Sequence, residues 1–233
     1  MSPPRPAGHV SRAAVAVIAK EPVAGLVKTR LVPALGAAGA ARVAAAMLAD
    51  TLAVVAGVDA APWLCFTPAE ARDRLARLAP GFGLLPQAGG DLGDRLAACL
   101  DELLRTGAER VAIVGADTPH VPAARYRRAL ALLDRDDLVL GPALDGGYYL
   151  VAARMARPEL FVGVQMGTAT VLKETVARAG RLGLRVGLLP VLRDLDRVDD
   201  LEAALAGRLL DGCPRTRAAV AELLAGAGAV PAC

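Results

Sequence analysis

Serine is nearly missing from this 233-residue chain, confined to Ser2 and Ser11, and histidine occurs only as His9 and His120. A serine hydrolase is thereby excluded, and a zinc or hydrolase site would lack its second histidine. Aromatic residues are 3% of the chain, the net charge is only +3, and no Lys/Arg-rich run occurs. Those lacks remove the stacking surface and the cationic track that nucleic-acid binding needs. The four cysteines, Cys65, Cys99, Cys213 and Cys233, form no CxxC pair. Cys65 and Cys99 lie in apolar patterns and read as small core residues, so neither a disulfide framework nor a zinc site is expected. No unbroken apolar run reaches 18 residues, because Arg42, Asp50 and Asp59 interrupt the most hydrophobic region, so no membrane span is expected. Residues 1–11 carry Pro3, Pro4, Arg5 and Pro6 without an apolar core and read as a disordered tail, not a signal peptide. A cytoplasmic location is the expectation.

What is present is a large apolar fraction, 55%, much of it alanine. It supports one α/β domain with a core of Ala, Val and Leu. No repeat or linker divides the chain, giving a tail over 1–11, a domain over 12–226 and a second tail over 227–233. Short apolar strands are expected ending at Lys20, over 61–67, 83–87, 110–115, 138–142, 148–154 and 185–189. They alternate with helical patterns over 36–58, 68–79, 91–106, 122–134, 168–179, 199–206 and 215–224. Such alternation predicts a mostly parallel sheet covered on both faces. In an open sheet of this kind, functional groups gather beyond the carboxyl ends of the strands.

Several polar clusters fall at such ends. The loop after the first strand carries Lys20, Pro22, Gly25, Lys28 and Arg30; its backbone N–H groups and two cations can cradle phosphate, or it is an ordinary loop with solvated cations. Gln87, Gly89, Gly90, Gly93, Asp94 and Arg95 follow the third strand. Their glycines allow a flat ligand to approach and Gln87 offers a two-way amide, or the segment is a plain loop whose Asp91 caps a helix. Asp117, in Gly115-Ala116-Asp117-Thr118-Pro119, is placed to ligate a hard cation or to serve as a turn aspartate. Asp145, Gly146, Gly147, Tyr148 and Tyr149 combine a carboxylate, a close-approach backbone and two phenols, or Gly146-Gly147 forms a hairpin turn. Asp194 and Asp196 face the same way if their segment is extended; Asp199 reads as the cap of the next helix.

Taken in order, these clusters resemble the DUF2064 family, small proteins of the GT-A, nucleotide-diphospho-sugar transferase-like fold often labelled glycosyltransferases. The carriers are Lys20-x-Pro22-x-x-Gly25-x-x-Lys28-Thr29-Arg30-Leu31, Gly90-Asp91-Leu92-Gly93-x-Arg95, Gly115-x-Asp117-x-Pro119, Gly141-Pro142-x-x-Asp145-Gly146-Gly147-Tyr148-Tyr149-Leu150 and Asp194-x-Asp196-x-x-Asp199-Asp200-Leu201. The loop 20–30 is also similar to that of 2-phospholactate guanylyltransferases, a neighbouring branch. Two positions depart from the family pattern: Gln165-Met166-Gly167-Thr168 stands where Trp-x-Thr is usual, and Arg197 where Thr is usual.

The resemblance implies a single-domain GT-A, Rossmann-type α/β fold, a nucleotide donor and Mg²⁺ or Mn²⁺. Asp117 and Asp196 stand at the positions of metal carboxylates. The nucleotide is expected on Lys20, Pro22, Gly25, Lys28, Arg30, Gln87, Gly90, Gly93 and Asp94, and the substrate on Gly146, Gly147, Tyr148 and Thr168. Lys28, Arg30, Asp117 and Asp145 are the catalytic candidates. Two reactions fit: glycosyl transfer from a nucleotide sugar to a small acceptor, and nucleotidyl transfer from a nucleoside triphosphate to a phosphorylated substrate with release of pyrophosphate. A silent nucleotide-binding or partner-binding protein is the third class. Oligomeric state is left open.

Overall fold

The computed structural model describes residues 12–227; the two tails expected over 1–11 and at the far end lie, but for residue 227, outside them. Seven strands form one sheet: β1 Ala13–Lys20, β2 Ala61–Thr67, β3 Gly83–Pro86, β4 Arg110–Gly115, β5 Leu138–Pro142, β6 Tyr148–Ala153 and β7 Val186–Leu188, in the order β3-β2-β1-β4-β6-β5-β7. All neighbours pair in parallel except those of β6, which runs antiparallel to β4 and β5. The expected fold class is therefore what the chain adopts.

Strand periodicity divides the core in two. Ala13, Val15, Val17 and Ala19 face a layer built by α1 (Val32–Ala56), α2 (Arg72–Leu78) and α4 (Ala123–Leu132). Ala14 and Ala16 face the opposite layer, α3 (Leu92–Arg105) and α5 (Val171–Arg181). The small alanines of β1 let helices approach closely, which is why the alanine-rich composition still makes a dense core. α6 (Val198–Ala206) and α7 (Pro214–Ala227) form a third layer behind α1.

That third layer explains the apolar character of α1. By length and composition alone, the helical stretch Thr29–Ala56 is long and apolar enough to cross a membrane, beyond what the interrupted run suggested. It is apolar on two faces because it is packed on two. Leu48, Leu52 and Val55 meet the sheet, while Ala40, Val43 and Met47 meet α6 and α7. Its regular turns begin after Gly36, whose φ of 70° interrupts the helix where the sequence places its start.

The structure corrects the cysteine reading. Cys65 on β2 and Cys99 on α3 are buried as expected but joined in a disulfide. The elements that carry them pack face to face, a proximity that residues 34 apart in sequence do not announce.

Candidate active site

Parallel pairing brings the ends of β1, β2, β3, β4 and β5 to one rim, with the start of β6 among them: Lys20 pairs with Thr67, Ile18 with Gly115, and Pro142 with Tyr148. The loop after β1 leaves this rim and is drawn back over it. Lys20 Nζ donates to the Leu26 carbonyl at 3.2 Å, Gly25 turns the chain at φ 80°, and Glu21 pairs with Arg74 of α2. Pro22 sits in this loop, half-buried.

Lys28 is the focus of the rim. Its backbone is left-handed (φ 46°, ψ 43°), a conformation that costs a non-glycine residue about 1–2 kcal/mol. Its side chain is only 6% exposed. Nζ lies 2.8 Å from Asp117 Oδ1 and 2.7 Å from Asp196 Oδ1, and donates to the Leu195 carbonyl at 2.9 Å. Burial opposes the charge, but the two carboxylates outweigh it and hold the ammonium above the ordinary lysine range. Arg30 Nη1 meets the other oxygen of Asp196 at 2.9 Å. Burial works against Asp196 as well, yet Lys28 and Arg30 keep it below the usual carboxylate range. Asp117 and Asp196 thus converge on one point, and that point is the Lys28 ammonium.

Asp196 is held from behind by Asp200 Oδ2, which accepts the backbone N–H groups of Asp196 at 3.3 Å and Arg197 at 2.9 Å. Asp200, rather than the expected Asp199, therefore closes the start of α6. Asp194 and Asp196 line the same cavity with Leu195 buried between them, as an extended segment requires. Burial, then the charges of Asp145, Asp196 and Asp117, push Asp194 up to about 7 against the pull of Lys28. Its Oδ1 is buried without a hydrogen-bond partner, as is Oγ1 of the neighbouring Thr118.

The segment after β3 is more committed than its glycines suggest. Gln87 Nε2 donates to the carbonyls of Ala19 and Cys65, both at 2.9 Å, leaving its Oε1 for other partners. Asp94 is engaged in a capping box at the start of α3: its N–H donates to Asp91 Oδ1 at 2.9 Å and its Oδ2 accepts from Asp91 N–H at 3.1 Å. Gly93 leaves room for the Phe161 carbonyl and not for an incoming ligand, and a side chain at Gly90 would strike Asp94. The capping box was visible in the sequence as acidic residues three apart.

Asp145–Tyr148 turns from β5 into β6, so the hairpin alternative holds. Asp145 Oδ1 accepts the Gly147 N–H at 2.8 Å, and Gly146 at φ 90° packs against the Ala169 backbone. The Tyr148 hydroxyl, raised to about 12 by burial, lies 4.0 Å from Met166 Sδ. Thr168 Oγ1 donates to the Gln165 carbonyl at 2.9 Å, with Thr170 Oγ1 at 3.1 Å.

These groups frame two cavities that meet at Lys20, Asp117 and Asp196. The larger, about 400 Å³, is lined by Gln87, Leu92, Arg95, Asp145, Gly147, Tyr148 and Thr168 among others. The smaller, about 320 Å³, holds Lys28 and Arg30. Gly25, Gly90, Gly93 and Asp94 do not line either one, and neither does His120. Arg95, Met166 and Asp194 line the larger cavity without having been assigned a site role; Arg95 had a signal in the cluster after the third strand and Asp194 in its period-two relation to Asp196.

A family model described as an uncharacterized protein conserved in bacteria, DUF2064, matches residues 49–168. A crystal structure from Desulfovibrio desulfuricans G20, provisionally assigned as a nucleotide-diphospho-sugar transferase, is 31% identical, with 94% of this chain and 98% of that one covered at a TM-score of 0.87. The chain belongs to the DUF2064 family. The DUF2064 match contains Asp117 and the hairpin aspartate but stops short of the Lys28 loop and of Asp196, both of which the full-length structural likeness can span. More distant likenesses show the fold alone. A cytidylyltransferase from Leptospira borgpetersenii is 10% identical at TM-score 0.55, covering 93% of each chain. Rv0371c from Mycobacterium tuberculosis is 19% identical at 0.51, covering 87% of this chain and 99% of that one. No curated protein matches the chain.

Proposed function

We propose that this protein is a metal-dependent transferase acting on a nucleotide donor, and that it moves a sugar from a nucleotide sugar to a small acceptor. One observation carries the reading: Asp117 and Asp196 converge at the junction of a cationic cavity with a larger, mixed one. The donor's nucleoside would lie toward Gln87, Leu92 and Arg95, with its diphosphate over the junction toward Lys20, Lys28 and Arg30. The transferred group would face Asp145, Tyr148 and Thr168. The relative from Desulfovibrio desulfuricans supports the same donor class.

The donor set fits a hard divalent cation. Asp117 and Asp196 offer carboxylate oxygens that converge on one point, and Asp194, with its unpartnered Oδ1, lines the larger cavity they border. Among the described residues no three acidic, histidine or cysteine side chains form a ready-made ligand group. Mg²⁺ would need only the Asp117–Asp196 pair from the protein, since it uses one or two carboxylates and takes further oxygens from phosphates and water. When bound, such an ion neutralises charge on a departing diphosphate. Lys28 and Arg30 share that task as charge-assisted donors. In the transfer, the bond from the sugar carbon to the diphosphate breaks and a bond to the acceptor oxygen forms. Asp145, one oxygen pinned by the Gly147 amide, receives the acceptor proton.

The cationic cavity also favours a second reading, nucleotidyl transfer, since Lys28 and Arg30 border a space of about 320 Å³ able to receive pyrophosphate. A calorimetric screen of nucleotide sugars against nucleoside triphosphates with Mg²⁺, followed by product analysis, separates the two. Free nucleoside diphosphate supports glycosyl transfer and pyrophosphate supports the second reading. Absence of binding to any nucleotide at millimolar concentration would dispose of both.

A further inference from the structure

We propose that the Lys28 ammonium is a resident counter-ion that keeps the Asp117–Asp196 pair closed to divalent cations until a polyphosphate draws it away, so that metal and donor load together. The inference rests on the metal-dependent reading above and concerns what stands at the metal position before either ligand arrives.

Three observations support it. The ammonium is caged by three oxygens, from Asp117, Asp196 and Leu195, at 2.7 to 2.9 Å. Each of its three N–H donors therefore has an acceptor, and the side chain is 6% exposed. An ammonium so placed satisfies both carboxylates as a small cation would, and removing it without replacement leaves two like charges close together with no cation between them. Second, the backbone of Lys28 is left-handed, so the cage is reached from a strained position and not from a relaxed loop. Third, its surroundings offer an exit. Lys28 borders the cavity that also contains Arg30 and Lys20, where a polyphosphate would find cationic partners. Phosphate oxygens there can accept the ammonium while the vacated carboxylates take the metal. By linkage, the polyphosphate then raises metal affinity and the metal raises polyphosphate affinity by the same factor.

The test is Mn²⁺ binding to the nucleotide-free protein, read by electron paramagnetic resonance. Wild type should bind weakly and Lys28→Met at least ~10-fold more tightly, since its carboxylates are no longer occupied. Removing any positive charge nearby favours a cation, so Arg30→Gln serves as the comparison, taking one charge from the outer oxygen of Asp196. A gain for Lys28→Met clearly exceeding that for Arg30→Gln supports competition for the cage. Equal gains, or no gain for Lys28→Met, overturn it. If Lys28→Met does not fold, wild type decides through ¹⁵N NMR of the lysine ammonium groups, simplified by there being only Lys20, Lys28 and Lys173. The Lys28 signal should stay put with Mg²⁺ alone and move with Mg²⁺ plus triphosphate. Movement with Mg²⁺ alone, or none with both, overturns the proposal. Failure of Mn²⁺ to bind with or without nucleotide would sink the metal-dependent reading itself, and this inference with it; tight Mn²⁺ binding to wild type without nucleotide would sink only the inference.

Discussion

Asp50 on α1 and the rim carboxylates Asp117 and Asp196 are all bonded across the fold, and their partners differ in kind. Asp50, 2% exposed, is bonded through Oδ2 to Thr216 N–H at 2.7 Å and Thr216 Oγ1 at 2.8 Å, and through Oδ1 to Arg215 N–H at 3.3 Å. Every strong partner comes from the first turn of α7 and two are backbone groups, so the carboxylate caps that helix from outside. At the rim, Asp117 and Asp196 are held by the side-chain cations of Lys28 and Arg30, and Asp194 keeps an oxygen without a partner. Arg215 Nη1 stands farther off, 3.5 Å from Asp50 Oδ1, so the short bonds to Asp50 come from amides and a hydroxyl fixed in the helix start, which leave little for a ligand. A carboxylate balanced by side-chain cations can exchange them. Burial alone would have ranked Asp50 first, and the nature of the partners reverses that order.

The sharpest way to break the comparison is to remove the saturated carboxylate. Asp50→Ala leaves the Thr216 donors unpaired in the core and should cost about 2–4 kcal/mol of stability, measured by urea unfolding. Nucleotide affinity should be unchanged once folded protein is compared with folded protein. A loss below ~1 kcal/mol, or weakened nucleotide binding, would erase the distinction. Asp117→Asn tests the other side. Its side chain is 59% exposed, so stability should hold within about 1 kcal/mol, while under the proposed function transfer measured with Mg²⁺ falls roughly 100-fold or more. Full activity in that variant would remove Asp117 from the site.

Arg30→Ala sharpens the comparison further because Arg30 touches Asp196 from the solvent side, 57% exposed. Little stability is at stake in such a pair. If its role is toward phosphate, nucleotide affinity should drop about 10-fold by calorimetry, the scale of one charge-assisted contact. Unchanged affinity would mean that Arg30 only balances Asp196.

What the sequence could say about this contrast was limited by range. All seven strands and seven helices were readable, because each is set by local period, Pro and Gly punctuation and caps. Asp91 as the cap of α3 was legible for the same reason. The contacts that separate the two carboxylate sets were not. Lys28 meets Asp196 across 168 positions, and Asp50 meets Thr216 across 166. Resemblance brought Asp117 and Asp196 to one site, but no pattern near Lys28 indicates that its ammonium lies between them. Asp50 read only as a charge interrupting an apolar helix. The glycines at 90, 93 and 146 were legible as close-approach positions, yet what approaches is Asp94, Phe161 and Ala169, a choice made by tertiary packing.

The smallest expected effect concerns a third buried polar group on this rim, His120, whose two ring nitrogens are buried without partners. Burial pushes its pKa from 6.5 down to about 4. The folded protein therefore keeps the ring neutral in a range where the unfolded chain protonates it. Stability from this group is complete above pH 6.5 and is lost as pH falls toward 4, because there the unfolded state binds more protons. Asp194 acts with the opposite sign over much of the same range, being raised to about 7, so the wild-type pH profile alone cannot isolate the histidine. The difference between wild type and His120→Leu can. Urea unfolding at pH 7.5 and pH 5.0 should show wild type losing about 1 kcal/mol more than the variant, less than the full shift implies because the residue as a whole is only half-buried. Equal losses would mean that the ring takes up its proton as readily in the fold as in the unfolded chain, and that burial does not hold it neutral.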